Sequence, residues 1–336
     1  DQAVVPEYLD SDHLIPSDDV DWVDEILRAA VVQSYNLSFT KADKKSNQLF
    51  SLGYYDQQGL VKFSDFKRVS GRFNSEYKLF DDHFRIGENI SLSHSWGTSV
   101  SNNAALGGTL YEAYKFQSIT PVKNLEDEYA GNVFSDIPNP MGKLYRNKDN
   151  QDKKSRLVGN LYAELHLFDG LMFKTSFGVD YNNLYRRSFS PKYDELNASE
   201  KLSSLSNRNA WNFNWVFTNT LTYNKTFGDH TINALLGMES LRNRYEYFTA
   251  SRDGFPSDDP NFRFLDAGDV GTQKNSGAAT EYSMVSYFGK LDYNYHDRYL
   301  VAFTLRRDGS SRLGNNKWGN FPAASVGSVS YTHLRA

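Results

Sequence analysis

The chain has 336 residues and a formal net charge of -4, and its 22 Tyr, 23 Phe and 5 Trp make it 15% aromatic. Only 39% of the residues are hydrophobic and the mean hydropathy is -0.61, but the aromatic content argues against a disordered chain. The acidic balance excludes the broad basic surface that nucleic-acid binding requires. The absence of cysteine excludes disulfide scaffolds, thiolate zinc sites and cysteine nucleophiles.

Residues 1–30 contain the one helix that the sequence predicts. Three aspartates can cap a short helical segment around Trp22 and Ile26, namely Asp18, Asp19 and Asp21. The chain does not begin with a basic and then apolar leader pattern, so a signal peptide is absent or lies upstream. The longest apolar run, 299–303, is much shorter than the roughly 18 residues of a membrane helix.

From about Val31 onward, the hydrophobic pattern has a period of two residues. Val69, Phe73 and Tyr77 share one parity, and Glu88 is the only formal charge on the apolar parity of the clearest segments. Such alternation predicts β-strands with one apolar and one polar face. The polar parity around 69–79 consists of Arg68, Ser70, Arg72, Asn74, Glu76 and Lys78.

Strand length and connection length favour a membrane barrel over a soluble sandwich, although both fold types bury one face of each strand. The predicted strands match the about 9 to 11 residues of a tilted membrane strand and exceed the about 5 to 6 of globular strands. Tight turns alternate with long irregular stretches, as in outer-membrane barrels. The turns lie at 81–82, 169–170, 228–229 and 296–297, and the long stretches at 99–154, 189–207, 252–280 and 307–320.

Aromatic residues flank the tight turns. Because amphipathic rings prefer the level of the lipid headgroups, this clustering predicts an aromatic girdle along one rim of a barrel. Cross-strand aromatic pairing in a soluble sheet is the alternative explanation. The residues concerned are Tyr77, Phe80, Phe84, Phe168, Phe173, Tyr223, Phe227, Tyr293, Tyr295 and Tyr299.

The pattern predicts about eleven strands in one antiparallel sheet. An odd number cannot close an antiparallel barrel of the bacterial type, and an open edge in lipid leaves backbone groups unsatisfied. We therefore expect an open part of a larger barrel, with unpaired edges at 31–42 and near the C terminus. The predicted strands are 31–42, 47–57, 63–79, 83–98, 155–168, 171–188, 208–227, 230–251, 281–296, 298–307 and about 321–331.

Distinctive motifs occur near both ends of the chain. Near the N terminus they are DWVDEIL at 21–27, QSYNLS at 33–38, FSLGYYDQQG at 50–59 and FKRVS at 66–70. Near the C terminus they are YFGKLDY at 287–293, DRYL at 297–300, RRDGSSRLG at 306–314 and WGNFP at 318–322. In order and spacing, these motifs resemble the barrel of SusC/RagA-type TonB-dependent transporters of Bacteroidetes over about residues 19–327.

The resemblance implies a fold and a division of the chain. The implied fold is all-β, a membrane-spanning antiparallel β-barrel of about 22 strands with a plugged lumen, of which this chain is an open half barrel. Residues 1–30 would be an extracellular loop with a short helix between barrel strands one and two, and 31–327 the N-terminal half of the barrel. The tight turns would then be periplasmic. Residues 328–336 do not fit the family and are expected to be a non-native tail.

The same resemblance implies transport and no enzymatic activity. The implied protein is a TonB-dependent importer in the cell outer membrane that takes up oligosaccharides or peptides too large for porins. Its implied partners are a SusD-like surface lipoprotein, outer-membrane lipid, and the TonB complex, which it would contact through a plug region outside this chain. Two alternatives stay open, a passive porin-like barrel and a soluble all-β carbohydrate-binding domain.

The sequence contains no motif for catalysis, a cofactor or a metal. The histidines are scattered, and neither HExxH nor a phosphate-binding glycine motif occurs. The acidic run from Asp10 to Glu25 lacks the spacing of a calcium loop, so solvated charge and helix capping explain it. Ser310 has no GxSxG context or His partner and is expected to shape a loop. We therefore assign no catalytic, cofactor-binding or metal residue, and the substrate-binding residues are unknown.

Overall fold

One antiparallel sheet dominates the computed structural model, which describes residues 5–101 and 107–329. The strands are β1 (Val32–Ala42), β2 (Ser46–Gln58), β3 (Asp65–Leu79), β4 (Phe84–Gly97), β5 (Gln151–Phe168), β6 (Leu171–Ser190), β7 (Tyr193–Glu195), β8 (Ala198–Glu200), β9 (Ser204–Phe227), β10 (His230–Asp253), β11 (Lys274–Tyr295), β12 (Tyr299–Ser310) and β13 (Trp318–Ser328). Strands β7 and β8 form a separate hairpin. The other 11 strands pair in chain order, which confirms the predicted all-β fold.

The large sheet is open. Strand β1 pairs with β2 alone and β13 with β12 alone, so the strands at both ends of the order present a free edge within the described ranges. The strands of this sheet make their main contacts with their hydrogen-bonded neighbours, and no second sheet of comparable size occurs in the described part of the chain. The predicted open sheet with free edges at both ends is confirmed, and a compact sandwich is excluded.

Tight turns join consecutive strands at one end of the sheet. Gly228 has a φ angle of 58° at the first position of its two-residue turn, as a type II′ hairpin turn requires. Gly170, with a φ angle of 87°, follows an irregularity in the pairing of β5 and β6 between His166 and Phe168. At Gly170 a Cβ atom would lie 2.4 Å from the carbonyl oxygen of Asn224, so a larger residue would push the turn off β9. His296 and Asp297 also adopt positive φ angles in their turn. All four predicted tight turns are confirmed.

Several strands extend farther toward the long connections than the sequence predicts. Strand β11 begins at Lys274 instead of residue 281, and β9 and β10 each have 24 residues. The long connections are correspondingly shorter and span 98–150, 191–203, 254–273 and 311–317. The sequence underestimated these lengths because the added residues do not alternate between large apolar and polar side chains. In β11 the residues 274–280 are small or polar, and in β9 the added Leu205 is buried against Phe189 and Phe255.

Three α-helices lie in the connections: α1 (Trp22–Ile26), α2 (Thr109–Lys115) and α3 (Pro140–Asn147). The Asp21 side chain accepts hydrogen bonds from the backbone N–H groups of Val23 and Asp24, which confirms the predicted aspartate cap of α1. The expectation of a single helix is wrong, since α2 and α3 were missed. Short 3-10 helices also occur at Pro260–Phe262, Leu265–Ala267 and Val270–Thr272. Within the described residues, no helix combines the length and apolar character needed to cross a membrane.

The three α-helices and the β7–β8 hairpin form a small folded unit beside the sheet, which we name the cap. Its core joins residues from all three helices. Trp22 donates its indole N–H to the carbonyl oxygen of Gln117 at 3.1 Å, and its ring lies 4.6 Å from the Phe116 ring. Helices this short are marginal in isolation, so their packing against one another stabilises them. The buried core residues are Trp22, Ile26, Ala113, Phe116, Met141 and Leu144.

The C-terminal end of the described chain continues the sheet. Ser328 pairs with Tyr299, and the backbone N–H of Val329 donates to the carbonyl oxygen of Arg298 at 2.9 Å. The remainder of the predicted tail, 330–336, lies outside the described residues.

Candidate functional site

One face of the sheet, which we name the apolar face, is uncovered. The strand register places apolar residues side by side, for example Leu161 opposite Phe177 and Phe177 opposite Phe217. Leu236 on the same face is 64% exposed. A contiguous apolar surface of this extent is rare on a soluble monomer, whose largest patch is about 300–600 Å². The face therefore requires a non-aqueous environment.

The apolar face has a defined border on the side of the long connections. Apolar side chains occupy this face of β10 from Ile232 to Met238, but Arg242 and Arg244 follow on the same face. Arg242 pairs with Glu281 of β11 at 2.8 Å, and Arg244 approaches the same carboxylate at 3.8 Å. With Ser240, the last uncharged position on this face before Arg242, the stretch 232–240 has nine residues. This matches the about 9 to 11 residues that cross a bilayer as a tilted strand. The charged pairs mark the level at which the strands leave an apolar layer.

Aromatic residues border the other end of the apolar face, next to the tight turns. Phe80, Phe168 and Phe227 are exposed there. The rings of Tyr295 and Tyr299 stack with centroids 6.5 Å apart across the turn at 296–298. This is the position that the predicted aromatic girdle requires.

Glu88 is a formal charge inside the apolar layer, as the sequence pattern indicates, whereas Arg242 and Arg244 lie at the border of that layer. Its carboxylate accepts a hydrogen bond from the hydroxyl of Ser75, which lies directly opposite on β3 and is buried. A carboxylate in an apolar layer requires such a partner, because leaving it without a hydrogen bond is costly. The hydrogen bond from Ser75 therefore stabilises the Glu88 carboxylate within the apolar face.

The opposite face of the sheet, which we name the polar face, carries its charges largely as pairs. Between β5 and β6, Arg156 holds Asp180 with two hydrogen bonds of 3.0 and 2.8 Å. On the same strands, Lys174 lies 2.8 Å from Glu164. Farther along, Arg306 lies 2.7 Å from Asp308. Paired charges, amides and hydroxyls suit a surface in contact with water, and this composition selects for no single ion.

An ion pair fastens the cap together. Arg146 at the end of α3 lies 2.5 Å from the Glu195 carboxylate, which is 3% exposed, and stacks 3.8 Å from the Tyr193 ring centroid. The other carboxylate oxygen accepts the backbone N–H of Asn139 at 2.7 Å. Burial raises the pKa of the Glu195 carboxyl above its ordinary value, while the Arg146 guanidinium opposes that rise.

A cavity of about 640 Å³ opens between the cap and the 254–273 connection. Its walls come from three connections, which contribute Tyr129 and Tyr145, then Tyr193, and finally Arg263. Arg263 is held by Asp149 at 3.2 Å. The volume falls in the range of about 300–1,000 Å³ typical of small-ligand sites. Sequence reasoning missed this cavity, because its walls come from distant segments.

The residues that the sequence offered for metal binding or catalysis stabilise turns and loops instead. Among the described residues, no three His, Asp or Glu side chains gather as a group that could hold a metal ion. Asp10 accepts backbone N–H groups of Leu14 and Ile15 and therefore caps a turn. Ser311, next to Ser310, exchanges two hydrogen bonds with Ser283, of 3.0 and 2.9 Å, and so anchors the loop on β11.

Comparison with known proteins shows what this chain is similar to. TonB-dependent receptor P3 of Formosa agariphila is 31% identical over 314 residues, which cover 91% of this chain and 31% of that receptor. TonB-dependent receptor SusC of Bacteroides thetaiotaomicron is 27% identical, over 91% of this chain and 32% of SusC. The solved structure of the RagAB peptide transporter superposes with a TM-score of 0.80 at 23% identity, over 93% of this chain and 36% of that chain. No family model matches.

The chain spans about a third of the length of the curated relatives it matches. The likeness to the RagAB structure concerns the fold, in which the open sheet of 11 strands corresponds to part of a transporter barrel. The sequence relatives extend over both motif regions and confirm the resemblance to the SusC/RagA type. In sequence this chain is therefore similar to TonB-dependent receptors, SusC among them, and in fold it matches a segment of a transporter β-barrel.

Proposed function

We propose that the protein containing this chain is a TonB-dependent importer of oligomeric nutrients in the outer membrane of a Gram-negative bacterium. The observation that carries the proposal is the pairing of an uncovered apolar face with a charge-paired polar face on one barrel segment. In a membrane barrel the first face meets lipid and the second lines the lumen. The similarity to TonB-dependent receptors supports energised import over passive diffusion.

The proposal includes an orientation. The tight turns face the periplasm, and the long connections with the cap face the cell exterior, because outer-membrane barrels have short periplasmic turns and longer extracellular loops. Residues 1–30 then belong to an extracellular loop and 31–327 to the N-terminal half of the barrel. Epitope tags test this directly: one inserted in the 254–273 connection should stain intact cells, whereas one in the turn at 228–229 should stain only permeabilised cells.

Partners and cargo complete the proposal. A SusD-like surface lipoprotein covers the extracellular mouth and delivers an oligosaccharide or a peptide, and the TonB complex opens a plug that lies outside this chain. The relative solved as RagAB is a peptide transporter, and SusC is a TonB-dependent receptor. Co-purification of a lipoprotein with the full-length receptor from the bacterium that encodes it tests this pairing.

Uptake by whole cells tests the function. Deleting the receptor gene should abolish growth on one class of oligosaccharide or peptide, and disrupting TonB should have the same effect. Growth on the corresponding monomer is the control and should not change. Uptake that requires the receptor but persists without TonB would indicate a passive porin instead.

A further inference from the structure

A part of the polar face near the long connections carries more positive than negative charge. Lys154 and Arg156 on β5, Arg186 on β6 and Arg208 on β9 form this surface, which we name the basic patch. The register places Arg186 directly opposite Arg208 and puts Lys154 one diagonal step from Arg186. This excess of positive charge is local, since the whole chain has a net charge of -4.

Two carboxylates neutralise only half of the basic patch. Asp180 pairs with Arg156 at 2.8 Å, and Asp152 pairs with Arg186 at 2.5 Å. Within residues 5–101 and 107–329, no carboxylate lies within 4 Å of the charged groups of Lys154 or Arg208. The patch therefore keeps two cations free to meet an anion. Other charged clusters of the polar face, such as Arg306 with Glu239 and Asp308, contain their own carboxylates.

Aromatic side chains hold Arg208 in place and leave most of its donors unused. Its Nη2 atom donates to the Tyr245 hydroxyl at 3.1 Å, its Nη1 atom donates to the Thr249 hydroxyl at 3.5 Å, and its Cζ atom lies 4.1 Å from the centroid of the Tyr247 ring. The two tyrosine rings are 6.0 Å apart on β10. A guanidinium fixed in this way is pre-organised to bind a planar anion through two parallel hydrogen bonds. Asn212, opposite Tyr245, adds an amide on the same face.

The basic patch lies at the level where the strands have left the apolar layer. On the opposite side of the same strands, the residues at this level are polar or charged except for one tyrosine, a residue that suits the headgroup level. They are Lys153, Tyr185, Arg187, Asn207 and Asn209. The nearby connections 191–203 and 254–273 lead into the cap region. In the proposed orientation, the patch is on the inner wall of the barrel at its extracellular mouth.

The surroundings of the basic patch favour a sugar over a peptide. Strands β6, β9 and β10 are hydrogen-bonded to neighbours on both sides, so no free strand edge is present there to pair with a peptide backbone. Recognition must come from side chains. Tyrosine rings stack on sugar rings, amides and hydroxyls pair with sugar hydroxyls, and guanidinium and ammonium groups pair with acidic substituents.

We propose that the basic patch binds the carboxylate or sulfate groups of an acidic oligosaccharide at the extracellular mouth of the barrel. The proposal rests on the proposed function, because the polar face lines a substrate path only in an importer. It narrows the cargo from any oligomeric nutrient to an anionic glycan.

Binding to the purified full-length receptor in detergent tests the proposal. The probes are oligogalacturonate, a sulfated oligosaccharide from carrageenan, a neutral malto-oligosaccharide and an oligoglutamate peptide, all of equal length. At low salt, at least one acidic sugar should bind about tenfold more tightly than the neutral sugar, and added salt should reduce that preference. The carboxylated and sulfated probes identify which acidic group is recognised.

A matched pair of double variants locates the site. Lys154→Gln with Arg208→Gln removes two positive charges from the polar face without leaving a carboxylate unpaired on it, and should weaken acidic-sugar binding about tenfold. Lys153→Gln with Arg244→Gln removes two charges from the other face and should leave binding unchanged. Retained heat-modifiable migration in electrophoresis verifies that each barrel is folded. Arg208→Lys keeps the charge without the planar fork and should retain the salt dependence at reduced affinity.

Three results would overturn the inference: equal affinity for acidic and neutral sugars, equal losses in the two double variants, or tighter binding of the peptide than of either acidic sugar. The proposed function fails separately, through uptake that does not depend on the receptor or on TonB. An importer that shows no acidic preference would therefore refute this inference alone.

Discussion

Arg146 and Glu195, which are 49 residues apart in the sequence, form an ion pair with a 2.5 Å contact that joins helix α3 to the β7–β8 hairpin. Glu195 is 3% exposed, and Arg146 is also largely buried beneath Tyr193. Two connections of the sheet are thus fastened into one unit. A buried pair of this kind is expensive to break, because the remaining partner keeps its desolvation cost without its counter-charge.

Replacing Glu195 with alanine should destabilise the cap by about 3 to 5 kcal/mol, because Arg146 would be left buried without a carboxylate. Hydrogen–deuterium exchange of 107–150 in the full-length receptor measures the effect as faster exchange. Lys201→Ala is the control, because its pair with Asp194 is exposed, with Lys201 at 73%, and should cost no more than about 1 kcal/mol. Unchanged exchange in the Glu195 variant would contradict the assigned role of the pair.

The stability of the cap should depend on pH through Glu195. Burial raises the pKa of its carboxyl in the folded state. The folded cap therefore holds this proton to a higher pH than the unfolded chain does. The resulting stabilisation is fully present below the unfolded pKa of about 4.3 and is lost as the pH rises through the raised folded value. Exchange at Asn139, corrected for intrinsic rates, should show the cap opening more readily as pH rises in that window, and Glu195→Gln should abolish the trend.

Trp22 should be the most sensitive position of the cap core. It is 3% exposed and packs its ring on Phe116, so Trp22→Ala should cost about 3 to 5 kcal/mol. Limited proteolysis of intact cells should then cut the 98–150 connection faster. Tyr114→Ala is the control, since Tyr114 is 74% exposed on α2 and its loss should change stability by about 0.5 kcal/mol or less. Equal protease sensitivity of the two variants would refute the role of Trp22.

Two neighbouring leucines on β10 distinguish the two faces of the sheet. Leu236 lies on the apolar face and Leu235 on the polar face. Leu236→Arg would place a charge in the hydrocarbon layer and should cost about 2 to 4 kcal/mol, whereas Leu235→Arg can hydrate in the lumen and should cost less. The yield of folded, heat-modifiable receptor in outer membranes and its unfolding in urea compare them. A larger loss for Leu235→Arg would reverse the assignment of the faces.

The sequence was sufficient to predict the 11 strands of the large sheet but not β7 and β8, because a period of two residues survives wherever one face meets an apolar layer. Val69, Phe73 and Tyr77 show this on β3, and even Glu88 was correctly placed as an exception whose partner, Ser75, only the structure reveals. The tight turns were equally predictable, because Gly170 and Gly228 are needed for positive φ angles there.

The cap could not be predicted, because its stability comes from contacts between distant segments. Helix α2 has 7 residues and helix α3 has 8, too few for a clear helical period. Trp22 meets Gln117 from 95 residues away. The ends of β9 and β11 next to the long connections were not predicted either, because their added residues do not alternate between large apolar and polar side chains. The one large apolar residue among them, Leu205, packs against Phe189 and Phe255. The basic patch likewise depends on a register that joins three strands.

Single-cysteine scanning along β10 tests the central claim, that this sheet is a barrel wall with lipid on one side and a lumen on the other. This segment contains no cysteine, so it adds no background thiol. From residue 232 to 240 in the full-length receptor, cysteines at odd positions should react with a water-soluble maleimide, and cysteines at even positions should resist it. A fluorophore attached at an even position by a membrane-permeant reagent should be quenched by a quencher dissolved in the lipid. The alternation should disappear from Arg242 onward. Uniform reactivity from 232 to 240, or lipid exposure at the odd positions, would contradict the account.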